Sequence, residues 1–169
     1  AYLKMNNTRF ICDFKVKDIP DITGIDDLQF LFSANKNSSL QPVSEIASGG
    51  EISRLMLCIK SMIAGAVALP TIIFDEIDTG TSGDVADKVG AIMKKMSKGM
   101  QVIVITHLPQ IASKGDVHFK VYKDENEVEV TTNIKILSLK ERIDEIAGML
   151  SGAQITSEAL ENARVMLKV

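Results

Sequence analysis

Four short clusters in this chain hold residue types that can do chemistry. Ser48-Gly49-Gly50-Glu51 precedes a long apolar stretch of helical period, so backbone N–H groups stand at a helix start with little side chain over them. Such a terminus attracts anions, phosphate above all. Asp75-Glu76 closes the apolar run Thr71-Ile72-Ile73-Phe74, and two adjacent carboxylates at a strand end suit a metal ion and a water. The turn Ile77-Asp78-Thr79-Gly80 follows at once, and His107 closes a second apolar run, Val102 to Ile105. Each cluster also has a plain structural reading. Strands often end in surface acids, and a single histidine is more often structural or merely exposed. Position is what favours chemistry: an open α/β sheet gathers the C-terminal ends of its strands along one crevice. Phosphate, metal and water together point to nucleotide hydrolysis.

The elements that must hold these residues can be read from hydrophobic period. Phe10, Cys12, Phe14 and Val16 alternate with charged Arg9, Asp13 and Lys15, which predicts a half-buried strand over 8–16. Leu28, Phe30 and Phe32 repeat the period in an antiparallel neighbour, beyond a turn holding Pro20 and Gly24. The polar stretch 35–42 reads as a loop. From Ser48 or Gly49 a helix of about sixteen residues is expected, with Ile52, Leu55, Met56, Ile59, Met62, Ile63 and Ala66 in helical spacing. Leu57 and Cys58 widen its apolar surface almost all round, which predicts deep packing.

The continuous run 71–74 predicts a strand covered on both faces. Thr81 with Asp84 resembles a capping box; the helix it opens places Val85, Ala86, Val89, Ile92, Met93 and Met96 on one face, and Gly99 suits its C′ position. Val102 to Ile105 form the next buried strand, and Pro109 opens a short helix through Ala112. Val117, Phe119 and Val121 alternate, as do Val128, Val130, Thr132, Ile134 and Ile136, with 124–127 as a hairpin tip. Ser138 with Glu141 caps a helix through Leu150, and a last helix runs from about Thr156 to Leu167. The β-α-β-α-β middle predicts parallel strands, and residues 1–169 read as a single α/β domain.

Composition narrows the function. The 169 residues carry a net charge of −3, which argues against a dedicated nucleic-acid surface. Lys94, Lys95 and Lys98 share a helix without aromatic partners and read as a solvated face. Cys12 and Cys58 show no metal-ligand spacing and read as two buried, reduced thiols. No apolar run reaches the ~18 residues of a membrane span, so no membrane partner is expected and the cytoplasm is the expected location. The chain opens on Ala1-Tyr2-Leu3 without an initiator methionine, as expected of a piece of something longer.

These clusters together resemble the ABC-type ATPases. Ser48-Gly49-Gly50-Glu51 is similar to their signature motif, Thr71 to Glu76 to the Walker B strand with its catalytic glutamate, Asp78-Thr79-Gly80 to the D-loop, and His107 to the switch histidine. Transporters of that superfamily commonly have Gln after the two glycines and Pro after the Walker B glutamate, where this chain has Glu51 and Ile77. That favours the SMC-like branch. Within it, FLFSAN (30–35), IASGGEISRLML (46–57), IIFDEIDTGTSG (72–83) and ITHLPQIA (105–112) resemble the bacterial members that repair DNA double-strand breaks.

The resemblance implies a head split in sequence by a coiled coil. No GxxxxGK[ST] occurs in the chain, so the phosphate-cradling loop and lysine are expected from an N-terminal lobe of the same head. This chain then reads as the C-terminal lobe of an ABC/SMC-type P-loop ATPase head: a mainly parallel sheet flanked by helices, plus antiparallel strands. Residues 2–4 would lie where the returning coiled coil enters. By resemblance, Asp75 holds Mg²⁺ through a water, Glu76 deprotonates the attacking water, and His107 contacts the γ-phosphate or that water. Ser48, Gly49, Gly50 and Glu51 address ATP held by a second head, and Asp78 bridges the two sites. The partners implied are the N-terminal lobe, a second head in an ATP-dependent homodimer, and DNA, at a nucleoid-associated place in the cytoplasm. Two alternatives are the head lobe of another SMC-like chromosome-maintenance ATPase and a non-catalytic module that uses an ABC-like surface to bind a partner.

Overall fold

Alternation makes the first two strands pair over nearly their whole length. In the computed structural model, which describes residues 3, 5–46, 49–67, 69–125, 130–152 and 154–169, β1 (Arg9–Asp21) runs antiparallel to β2 (Gly24–Ser33), with Phe10 opposite Phe32 and Cys12 opposite Phe30. Ser48 at the helix start and Asn126-Glu127 at the hairpin tip lie outside the described residues. The chain forms two compact units, Ala1–Ala68 with Thr79–Thr81, and Leu69–Asp78 with Ser82–Val169.

The first unit holds a three-stranded antiparallel sheet ordered β1-β2-β3, with β3 only Gln41–Pro42 inside the stretch read as a loop. Pro20 lies within β1, which is an edge strand, where its missing N–H leaves no ladder bond unmade. A 3₁₀ turn (Val43–Glu45) leads to α1 (Gly49–Ala66). Phe10 and Phe30 stack with centroids 5.7 Å apart, yet both stay exposed, as do Phe14, Val16 and Leu28. The half-buried strand is therefore not found: among the described residues of the unit nothing covers that face, and Cys12 is exposed with it instead of buried. Deep packing of α1 is not found either, since only Gly50, Leu55 and Leu57 are buried, while Met62 and Ile63 are exposed. Cys58 is half-buried, and burial pushes its thiol pKa up.

The second unit contains a β-α-β crossover. β4 (Thr71–Asp75) and β5 (Gln101–Ile105) pair in parallel, Ile73 opposite Ile103 and Asp75 opposite Ile105, joined through α2 (Gly83–Met96). One face of this pair is covered, with Phe74 buried and Ile72, Val102 and Val104 partly so. Cover on both faces, which the apolar runs predict, is not present in this unit: Ile73, Ile103 and Ile105 on the other face are exposed. α2 buries Ala86, Val89 and Met93 as its period demands. It starts one residue later than expected. Ser82 is the N-cap, without a side-chain bond of its own, where the sequence reading places Thr81. Gly99 lacks the left-handed conformation of a C′ glycine, and Ser97 caps the helix end.

Beyond β5, α3 (Pro109–Ala112) leads to the hairpin β6 (Phe119–Glu125) and β7 (Val130–Ile136), then to α4 (Leu139–Ser151) and α5 (Ser157–Leu167). Ser138 and Glu141 do form the expected capping box. The Glu141 carboxylate also meets Lys135, and backbone Ser138 N–H with these partners lowers its pKa from the ordinary 4.5 to about 2. α4 and α5 meet through Ile146, Ala147, Ala159 and Ala163, where small side chains let the helices approach. Among the described residues no helix is long and apolar enough to cross a membrane.

Candidate functional site

Parallel pairing brings the ends of β4 and β5 side by side, and most of the candidate residues are there. Asp75 is the last residue of β4, aligned with Ile105, and both it and Glu76 are exposed. Glu76 has φ +51, the left-handed region that a side chain with a Cβ enters at a cost of about 1–3 kcal/mol. The cause lies in the next two residues. The chain must reverse at once to bury Ile77, 8% exposed, and Asp78, 2% exposed. Strain thus sits at the carboxylate that is expected to act on water.

The buried Asp78 is not a surface acid. Its Oδ2 accepts the hydroxyl proton of Thr106 and the backbone N–H of His107 at 3.1 Å, and lies 3.3 Å from His107 Nδ1. Thr106 Oγ1 in turn accepts from Leu108 N–H at 3.1 Å. A side chain that the resemblance sets to bridge two sites is turned into its own unit, where the Thr106 hydroxyl and the His107 backbone N–H donate to it and offset part of the cost of burying a carboxylate. Sequence reading missed Thr106 altogether. Its only signal is a hydroxyl residue directly before His107, too common a pattern to single out.

The remaining candidates meet inside the other unit. Gly49 and Gly50 are the first residues of α1, and Glu51 adds a carboxylate to the positive end of that helix. The two glycines differ in what they face. A Cβ on Gly49 would meet nothing within 4 Å, whereas one on Gly50 would stand 2.9 Å from the Gly80 carbonyl oxygen. Gly80 has the converse problem: φ is +69, and its Cβ would lie 2.9 Å from Gly50 Cα. Backbone packs on backbone here, so Gly50 and Gly80 are demanded by close approach. Gly80→Ala is expected to lower the thermal stability of the chain by about 1–3 kcal/mol, from a strained φ added to a steric conflict. A scan by circular dichroism checks this; an unchanged midpoint would mean that the turn yields freely.

Oxygen donors of this kind suit magnesium, which takes one or two carboxylates and completes its shell with phosphate and water. Among the described residues no group of three metal-capable side chains comes together, so Asp75 with Glu76 fits such an ion only when phosphate and water supply most of its ligands.

Other charged features of the second unit are structural. Lys94 pairs with Asp116, and Lys114 with Asp87 at 2.6 Å, along a cleft that Arg142 and Lys168 also line. Arg142 donates to the carbonyls of Gly115 and Asp116, tying α4 to the loop after α3. Lys95 and Lys98 remain exposed. His118 is half-buried, and desolvation with the nearby Arg142 guanidinium pushes its pKa below the usual imidazole value. It contrasts with His107, whose ring is mostly exposed.

No family model matches the chain. Its sequence is 44% identical over 165 residues to the DNA repair protein RecN of Rickettsia typhi, covering 98% of this chain and 30% of that protein. RecN of Bacillus subtilis is 43% identical over 145 residues, covering 86% of this chain and 25% of its own length. The chain therefore spans 30% or less of these relatives. Among solved structures, the Smc head domain with a coiled coil and joint from Pyrococcus yayanosii matches with a TM-score of 0.66 at 19% identity, over 85% of this chain and 26% of that one. An Smc head bound to the C-terminal winged-helix domain of ScpA matches at 0.61 and 23% identity, over 85% of this chain and 41% of that one. The α/β fold is that of SMC-type heads.

Proposed function

This chain is a RecN-type head lobe, and from that premise we propose that it forms the C-terminal half of an ATPase head that acts in DNA double-strand-break repair. The observation that carries the reading is the grouping of Asp75, Glu76 and His107 at the adjoining ends of β4 and β5, with backbone strain at Glu76. Phosphoryl transfer asks little covalent chemistry of a protein and much positioning. Glu76 takes a proton from the attacking water as its oxygen bonds to the γ-phosphorus and the bond to ADP breaks. Asp75 would hold Mg²⁺, which would neutralise phosphate charge there. His107 faces the same reacting group from the neighbouring strand end.

The signature residues serve a different nucleotide. Gly49, open to approach, with Ser48, presents N–H groups to ATP bound on a second head, while Gly50 keeps the helix start seated on Gly80. ATP then joins two heads into a homodimer, and hydrolysis parts them. The P-loop comes from the N-terminal lobe in the rest of the protein, of which this chain is under a third by comparison with its relatives. DNA is the partner of the whole protein, and the nucleoid its place in the cytoplasm.

The test is reconstitution. The chain alone is expected to show no meaningful ATPase activity. Joined to an N-terminal lobe that carries a P-loop, it should turn over ATP and should do so faster with DNA. Robust Glu76-dependent hydrolysis by this chain alone would refute the split-head reading, and so would an inactive reconstituted head.

A further inference from the structure

We propose that Thr106 is a positioning residue: its hydroxyl clamps the chain after β5 to Asp78 after β4, and so sets Glu76 and His107 relative to each other. The catalytic consequence rests on the reading of Glu76 and His107 given above; the clamp does not. The two groups lie where regular pairing has stopped. The parallel ladder ends with Asp75 opposite Ile105, one residue before Glu76 and two before His107. Residues 106–108 belong to neither β5 nor α3, and 77–80 form a turn. Ladder bonds therefore fix neither group.

Asp78 takes over where the ladder ends. Its buried Oδ2 accepts the Thr106 hydroxyl proton and, at 3.1 Å, the backbone N–H of His107. The Thr106 oxygen in turn accepts Leu108 N–H at 3.1 Å, and the Leu108 carbonyl accepts the N–H groups of Ile111 and Ala112 in α3. A line of hydrogen bonds thus runs from the turn after β4 to the start of α3, with Thr106 as its middle link. Leu108 N–H already occupies the hydroxyl oxygen, so the hydroxyl proton goes to the carboxylate. The branched Cβ restricts χ1 and keeps the hydroxyl aimed there. Backbone strain gives the clamp something to hold. Glu76 sits at φ +51, and such a conformation persists only where its surroundings over-determine it. The turn cannot relax without breaking bonds to a buried carboxylate. Valine at position 106 would keep the shape of threonine and remove the link.

The test uses the full-length protein. Hydrogen exchange resolved to single residues should find the His107 and Leu108 amides protected, although both lie outside the ladder. Thr106→Val should open the Leu108 amide to exchange. It should also lower kcat by roughly 10–100-fold, the scale of lost orienting partners and small misplacements, while KM for ATP changes little. Thr106→Ser keeps the hydroxyl and should keep nearly the wild-type rate. In an Asp78→Ala background the valine should cost nothing further. Freely exchanging wild-type amides would overturn the proposal, even if the valine variant failed to fold. So would the reverse order of the variants, valine tolerated and serine impaired, which marks a methyl group that packs and not a hydroxyl that positions. Losses that multiply in the double variant would show that Thr106 does not act through Asp78. A wild-type full-length protein without ATPase activity would refute the proposed function, while exchange of the two amides would still decide the clamp.

Discussion

Glu76→Gln in the full-length protein is expected to lower ATP turnover by about 10²–10⁴-fold, the contribution of a positioned general base, while ATP still binds. The amide keeps the size of the carboxylate but cannot take the proton of water. Heads that engage on ATP and part on hydrolysis should then accumulate as a dimer, seen by light scattering as a larger species that depends on ATP and Mg²⁺. The strain at this position supplies a control that most general bases lack. Gln inherits φ +51, so stability should change by less than about 0.5 kcal/mol. Glu76→Gly relieves the left-handed penalty and should raise stability by up to about 1 kcal/mol. Loss of turnover in a protein that has become more stable would separate chemistry from folding. A monomeric Gln variant that hydrolyses ATP at the normal rate would assign the base elsewhere.

Local rules carried the sequence reading furthest where one stretch of chain satisfies itself. The Ser138–Glu141 box needs no tertiary partner beyond its own helix start, and it formed as written. The parallel pairing of 71–75 with 101–105 followed from two apolar runs separated by a helix. What period cannot tell is which part of a protein covers an apolar face. Cys12, Phe14 and Met62 have the spacing of buried residues, yet all three are exposed. The same limit applied to the candidate site. Its residues were legible because they end strands, whereas their separation of labour was not. By resemblance Asp78 bridges two sites; only the reversal at Glu76 shows it turned inward, to Thr106 and His107. Likewise two glycines in a row look alike until one is found pressed against Gly80 and the other open.

Ile103→Glu is expected to have opposite consequences in two settings, and the contrast tests the proposed N-terminal lobe. Odd-numbered residues of β4 and β5 share a face on which Ile73 is 57%, Ile103 43% and Ile105 55% exposed, while Phe74 on the other face is 1% exposed. Phe119, Val121, Ile134 and Ile136 form a second exposed apolar face on the hairpin. A parallel sheet is normally covered on both sides, and patches of this kind mark surfaces that meet something. The N-terminal lobe of the same head is the proposed cover. In the chain alone, a glutamate at 103 stays solvated, so stability should move by no more than about 0.5 kcal/mol and aggregation should fall. In the full-length protein the same carboxylate would be buried without a partner. Breaking or creating such an uncompensated charge costs about 3–5 kcal/mol, enough to lose assembly of the head and with it ATP turnover. Chemical denaturation of both forms, with and without the substitution, reads the difference directly. A glutamate tolerated equally in both would place the N-terminal lobe on some other surface, and would leave this face for a different partner.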